Sequence, residues 1–168
     1  VVVSSTRVYG ENHGAVINDD SPTIPCDEQG YLLLKMEELW QQAYPNECVI
    51  VRPTGIYGTS SARMVKLAEV TKTYSNIHWS NRIHIYDLAN FLAHLLHVEH
   101  PEKSYICTNN QPQPLHEMIL KNQRDLNLPE LVLQSQNETG KKIFAKNMVK
   151  SGYKLKHDSC LLDYRKLL

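Results

Sequence analysis

The residues best suited to chemistry are Tyr31 and Lys35, in Gly30-Tyr31-Leu32-Leu33-Leu34-Lys35, and Ser5, in Ser4-Ser5-Thr6-Arg7-Val8-Tyr9-Gly10. Four residues are about one helical turn, so the phenol and the ammonium share a helix face. A free phenol titrates near pH 10, and working at neutral pH needs about 4 kcal/mol of help. A fixed ammonium nearby supplies part of it in a low-dielectric cleft. The pattern predicts acid–base chemistry on an alcohol or ketone. In it Tyr31 moves the proton, Lys35 supports the phenol, and Ser5 holds the substrate oxygen. Tyr-x-x-x-Lys spacing is also common on idle, exposed helices. Here it follows a strand that ends in hydroxyls, which is where open α/β sheets place ligands.

The elements that must position these groups are legible. Val1 to Ser5 is a buried strand ending in hydroxyls, and residues 10 to 30 read as a long polar loop. From Tyr31 to Ala43, Leu32, Leu33, Met36, Leu39, Trp40 and Ala43 recur at helical spacing, and Pro45 stops the helix. Cys48 to Arg52 is the next strand, which completes a βαβ unit. Beyond it a helix is expected over 62–74, a strand-like segment over 77–85, and a helix over 88–98 capped by Asp87. A strand over 104–108 and helices over 115–126 and 143–151 follow. No repeat or clean linker divides the chain.

Composition narrows the function. The chain has 168 residues, 42% of them hydrophobic and 21% charged, enough for one domain or a large piece of one. Eighteen basic and eighteen acidic residues cancel, so no global field favours nucleic acid or an anionic membrane. Lys142, Lys146, Lys150 and Lys154 fit a solvated helix face without interleaved aromatics. Cys26, Cys48, Cys107 and Cys160 form no Cys-x-x-Cys pair and read as free buried thiols in a reducing compartment. The histidines lack ligand spacing, so no metal is expected. The apolar run from Leu88 to Val98 is too short to span a bilayer. A cytoplasmic location is the expectation.

Taken together, the phrases resemble the C-terminal part of an extended short-chain dehydrogenase/reductase, the NAD-dependent epimerase/dehydratase family. SSTRVYG (4–10), DDSPTIP (19–25), YLLLK (31–35) with Glu37-Glu38, VRPTGIYG (51–58), NRIHIYDLA (81–89) and YICTNNQPQPLHEMI (105–119) occur in the family's order. The resemblance implies an α/β fold, the C-terminal part of a Rossmann-like doubly wound parallel sheet with a small substrate-binding portion. Residues 1–58 would carry the catalytic side and 59–168 mainly the substrate side. It implies NAD or NADP as cofactor and a Ser5–Tyr31–Lys35 triad, with Tyr31 and Lys35 also touching the cofactor. The backbone at Pro53, Thr54 and Ile56 would lie against the nicotinamide. It further implies a sugar-like or sugar-nucleotide substrate, met by Thr6, Arg63 and Arg82, and homodimer packing through the helix of Tyr31. No glycine-rich dinucleotide fingerprint stands before Ser5, and the first residues already lie in a strand, so the expectation is the second half of an enzyme.

Three departures refine the expectation. Thr6 and Arg7 stand where dehydratases of the family carry Asp-Glu, which disfavours elimination. Ser80 and Asn81 precede Arg82, so the arginine is displaced from the family's usual register. Both Tyr31 and Lys35 are kept, which favours an enzyme over a cofactor-sensing relative without chemistry; a truncated, inactive relative is the further alternative. A lone arginine such as Arg63 is most often a surface group, and His84, between Ile83 and Ile85, reads as a packed histidine.

Overall fold

The Val-rich strand ahead of the hydroxyl cluster begins the sheet. In the computed structural model, which describes residues 1–10 and 12–167, β1 (Val2–Val3) runs into a 3₁₀ turn at Thr6–Val8. The polar stretch after it contains a strand, β2 (Ala15–Ile17). Next comes α1 (Glu28–Ala43), capped by Asp27, whose carboxylate accepts the Gly30 N–H at 2.7 Å. β3 (Ile50–Pro53) is buried along its whole length. Val2 and Val3 pair in parallel with Ile50 and Val51, so β1, α1 and β3 form the expected βαβ unit.

β4 (Gly55–Tyr57) leads to α2 (Ala62–Val70), which stops short of the expected residue 74. The chain there turns into β5 (Thr73–Tyr74), then β6 (Ile77–Ser80) and β7 (Arg82–His84). β7 pairs in parallel with β4. α3 (Ile85–Leu95) follows directly. Its cap is His84, whose Nδ1 accepts the Tyr86 N–H at 3.2 Å, and not Asp87. Asp87 lies in the first turn, wholly buried, and its carboxylate accepts the Tyr153 hydroxyl and the Lys156 and His157 amides at 2.8–3.0 Å. A carboxylate this deep needs several donors, and a segment about 70 residues later supplies them.

β8 (Ser104–Cys107) returns to the first sheet beside β3, making the all-parallel order β1-β3-β8. β9 (Gln113–Pro114) and α4 (Leu115–Asp125) come next, and β10 (Val132–Leu133) pairs with β5. The expected helix over 143–151 shortens to α5 (Lys146–Lys150), because its first residue ends a strand, β11 (Glu138–Ile143). β2 and β6 both pair with β11, and that pairing on both edges outweighs its helical lysine spacing. Lys142 therefore sits on a strand, its ammonium 4.2 Å from the Trp79 ring centre, and the four lysines are not one helix face. α6 (Cys160–Leu167) closes the described chain.

The second sheet has the order β2-β11-β6-β9, with only β9 antiparallel. The main core joins the first sheet to α3 and α5 through Val51, Tyr105, Ile106, Phe91, Leu88 and Met148. A smaller core gathers Tyr57, Met64, Met118, Ile119, Leu131 and Cys160. All four cysteines are free; Cys107 and Cys160 are buried as expected, whereas Cys26 is exposed and Cys48 half-buried. No described helix is long and apolar enough to cross a membrane.

Candidate active-site cleft

Ser5 stands at the carboxyl end of β1, where it caps the 3₁₀ turn by accepting the Arg7 N–H at 3.2 Å. Thr6 is buried and donates to the Pro53 carbonyl at 3.4 Å, tying this turn to the end of β3. Arg7 grips both oxygens of Asp27 at 2.9–3.0 Å, which fastens the turn to the start of α1. The Gly30 amide first, and the Arg7 guanidinium after it, hold the Asp27 carboxyl below its ordinary range. Gly10 must be glycine here: a Cβ would lie 2.3 Å from the Ile24 carbonyl oxygen.

Between these strand ends and the second sheet lies a cleft of about 370 Å³. Thr6 and Thr54 line one side, His78 and Lys141 of the second sheet the other, and Arg82 lies beside Gly55, its partner on the next strand. Cys26 and Asn12 sit at its rim. Asn81 fixes the far wall, donating to the Lys141 carbonyl and accepting the Ile143 N–H, both at 2.8 Å. The His78 ring bonds Thr139 Oγ1 at 3.0 Å, and burial, then Arg82, lowers its pKa. A buried pyrrole N–H on Trp79, which also lines the cleft, has no partner among the described residues.

A second cavity, about 430 Å³, lies on the other side of Gly55 and Arg82, with Tyr57, Ser60, Arg63 and Leu67 in its walls. Arg82 thus lines both spaces, and the structure brings it together with Arg63. Among the described residues its guanidinium donates to the Asn81 carbonyl alone, at 3.3 Å. Among the described residues neither Arg63 nor Arg82 meets a carboxylate. Cationic groups left unpaired beside a cavity attract an anion.

Pro53 and Thr54 are buried, the Thr54 hydroxyl bonds Thr108 at 3.2 Å, and the Thr54 and Gly55 N–H groups donate to the Cys107 and Asn81 carbonyls. Ile56 is exposed. Tyr31 is 58% exposed and its hydroxyl makes no hydrogen bond among the described residues, while Lys35 pairs with Glu38 at 3.4 Å. Neither is hydrogen-bonded to Ser5. The inward face of α1 instead carries Glu37, almost wholly buried, clasped by Arg52 of β3 at 3.0 and 2.6 Å. Arg52 also donates to the Tyr9 hydroxyl at 2.7 Å. Sequence reasoning assigned no role to Glu37, Asn81, His78 and Lys141; Glu37 and Asn81 carried a signal through their places in the YLLLK and NRIH phrases, His78 and Lys141 none.

No protein-family model and no curated protein matches the chain. Solved structures do. A Methylobacillus flagellatus protein assigned to the NAD-dependent epimerases/dehydratases is 31% identical, with a TM-score of 0.84 over 98% of this chain and 61% of its own. The chain carries the fold of the NAD-dependent epimerase/dehydratase family. Two further members of this extended short-chain dehydrogenase/reductase fold were solved with NAD. They are dTDP-glucose 4,6-dehydratase from Bacillus anthracis (14% identity, TM-score 0.77, 98% of this chain and 59% of that one) and UDP-glucuronic acid 4-epimerase from Bacillus cereus (15%, 0.76, 98% and 58%). The chain spans about 60% of the length of these epimerase/dehydratase structures.

Proposed function

We propose that this chain is the substrate-side part of an NAD(P)-dependent enzyme of epimerase or dehydrogenase type, acting on a hydroxyl or keto group of a sugar-like or sugar-nucleotide substrate. One observation carries the reading. At the carboxyl ends of β1 and β3 a polar cleft opens beside Ser5, and Arg82 joins it to a second cavity holding the unpaired Arg63. An anionic sugar derivative suits this pair of spaces: Ser5 and Thr6 at the reacting end, Arg63 and Arg82 at the charged end.

The residues present fit a dinucleotide. The Pro53–Ile56 strip lies at the strand ends, and among the described residues no strand pairs with the outer side of β1, where a further parallel strand could add. NAD(P), when bound there, supplies the hydride acceptor. Ser5 and its backbone neighbours hold the substrate oxygen. Tyr31 with Lys35 is the sequence's candidate for the group that moves the proton. Residues 1–58 carry the catalytic side and 59–168 mainly the substrate side. A cytoplasmic location belongs to the same reading, as does a homodimer.

The phase of α1 favours a second reading, in which the same fold binds cofactor and sugar without turnover: Tyr31 lies exposed and unbonded to Ser5. Thermal-shift titration of the full-length protein with NAD and NADP, then with a panel of nucleotide sugars, tests the proposal. A ligand at about one hundred times its dissociation constant stabilises by about 2.7 kcal/mol, and saturable shifts from both ligand classes are expected. A flat response to both dinucleotides refutes it. Binding of both classes with no reduced cofactor formed and no epimer released selects the second reading.

A further inference from the structure

We propose that His78 selects the sugar: held with its proton on Nδ1, it leaves a bare Nε2 at the cleft, which takes a hydrogen bond from one hydroxyl of the sugar ring. This rests on the reading that a sugar derivative occupies the cleft, and it names a residue of the second sheet that discriminates among such substrates.

Strand register brings the parts together. β6 and β11 run in parallel with His78 directly opposite Thr139. Side chains alternate along a strand, so His78 and Ser80 of β6 share a face with Thr139 and Lys141 of β11. His78, Ser80 and Lys141 all line the cleft, and Thr139 stands beside His78 on that face.

The hydrogen bonds fix the tautomer. A hydroxyl carries one proton, and Thr139 Oγ1 donates its own to the Asn76 side-chain carbonyl at 3.1 Å. Toward the ring it can only accept, so the 3.0 Å contact between His78 Nδ1 and Thr139 Oγ1 is a donation from Nδ1–H. Burial first, and Arg82 after it, lower the His78 pKa, so the ring is neutral at neutral pH. The lone pair is then on Nε2. His78 makes no other hydrogen bond or ion pair among the described residues, and it is exposed to the cleft's solvent. Asn76 and Thr139 thus act on the ligand only through the ring they orient.

The rest of the cleft makes this nitrogen useful. Arg82 and Lys141 can only donate, and they suit the charged part of a ligand. The side-chain amide oxygens at the cleft are already committed. Asn12 Oδ1 accepts the His13 and Gly140 amides, and Asn81 Oδ1 accepts the Ile143 amide. A sugar hydroxyl needs somewhere to place its proton, and a neutral imidazole nitrogen accepts one without attracting a cation. A sugar that lacks that hydroxyl leaves Nε2 without its donor, and the cleft distinguishes the two.

The test uses the full-length protein and the tightest binder among UDP-glucose, dTDP-glucose and ADP-glucose, with its 2-, 3-, 4- and 6-deoxy analogues, in calorimetric titrations. Removing one particular hydroxyl should weaken binding to the parent about fivefold, the loss of one neutral hydrogen bond. His78→Phe should bind the complete sugar about fivefold more weakly and should no longer distinguish that analogue. Thr139→Val, which cannot hold the tautomer, should also bind more weakly, and Thr139→Ser should bind as the parent does. Nitrogen-15 spectra of the free parent should show His78 protonated on Nδ1. His78→Phe at parental affinity overturns the proposal, as does a His78→Phe variant that discriminates every analogue as the parent does. A free parent with the His78 proton on Nε2 overturns it without any ligand. A parent that binds none of the three nucleotide sugars, with the proton on Nδ1, instead removes the sugar reading and this role with it, so the two failures are told apart.

Discussion

Glu37 and Arg52 are the charges on which the rotation of α1 rests. Both side chains are nearly inaccessible, at 2% and 9% exposure, and each satisfies the other in a two-point clasp. Removing one partner strands the other's charge in the core, and such losses run to about 3–5 kcal/mol. Glu37→Ala should therefore lower stability by about 4 kcal/mol. Glu37→Gln, which keeps the shape and an acceptor, should lose less. Urea unfolding of both variants measures this, and a Glu37→Ala midpoint equal to the parent's would show that the clasp does not hold the helix. Nothing in the composition marked Glu37 out from Glu38, its exposed neighbour; burial alone separates them.

At the scale of elements, the start of α3 shows how a cap becomes a titratable device. His84 is buried and its Nδ1 must be unprotonated to accept the Tyr86 N–H. Its ring stacks on His157 at 3.6 Å between centres. Burial first, and His157 next, lower its pKa. A base whose pKa falls on folding binds fewer protons folded than unfolded, so its contribution to stability is complete above the ordinary histidine pKa of about 6.5 and is lost as the pH falls below it. His78, lowered by burial and by Arg82, acts with the same sign. The expected outcome is a urea midpoint that drops from about pH 7.5 to about pH 5.5, with a shallower drop in His84→Asn, since asparagine also caps helices. An equal drop in the variant would assign the effect elsewhere. Gly58 is part of the same device: at φ +118, a Cβ there would lie 2.3 Å from His84 Nε2.

For the molecule as a whole, the consequential surface is the unpaired edge of the parallel sheet. Val1, just before β1, and Val3 on it are about half exposed, and Trp40 and Tyr44 stand beside Val1 and Val2. Edge strands with apolar neighbours recruit other chains. The 168-residue chain by itself should associate as its concentration rises, in sedimentation velocity, and Val3→Lys should shift it toward monomer. A chain that stays monomeric throughout would mean that this edge is not adhesive.

The local periodicities carried the βαβ unit, the helical character of residues 31–43 and the hydroxyl-rich end of β1, because strand and helix spacing and proline stops act within a few residues. The ordered phrases carried the fold family as well. Long-range burial decided the rest. Asp87, read as a cap, proved to be a buried acceptor for donors some 70 residues away. The lysine row divided between a strand and a helix because β11 found partners on both edges. Spacing alone could place Tyr31 and Lys35 on one face of α1. Which way that face points follows from two charges that only the packed core brings together, Glu37 and Arg52.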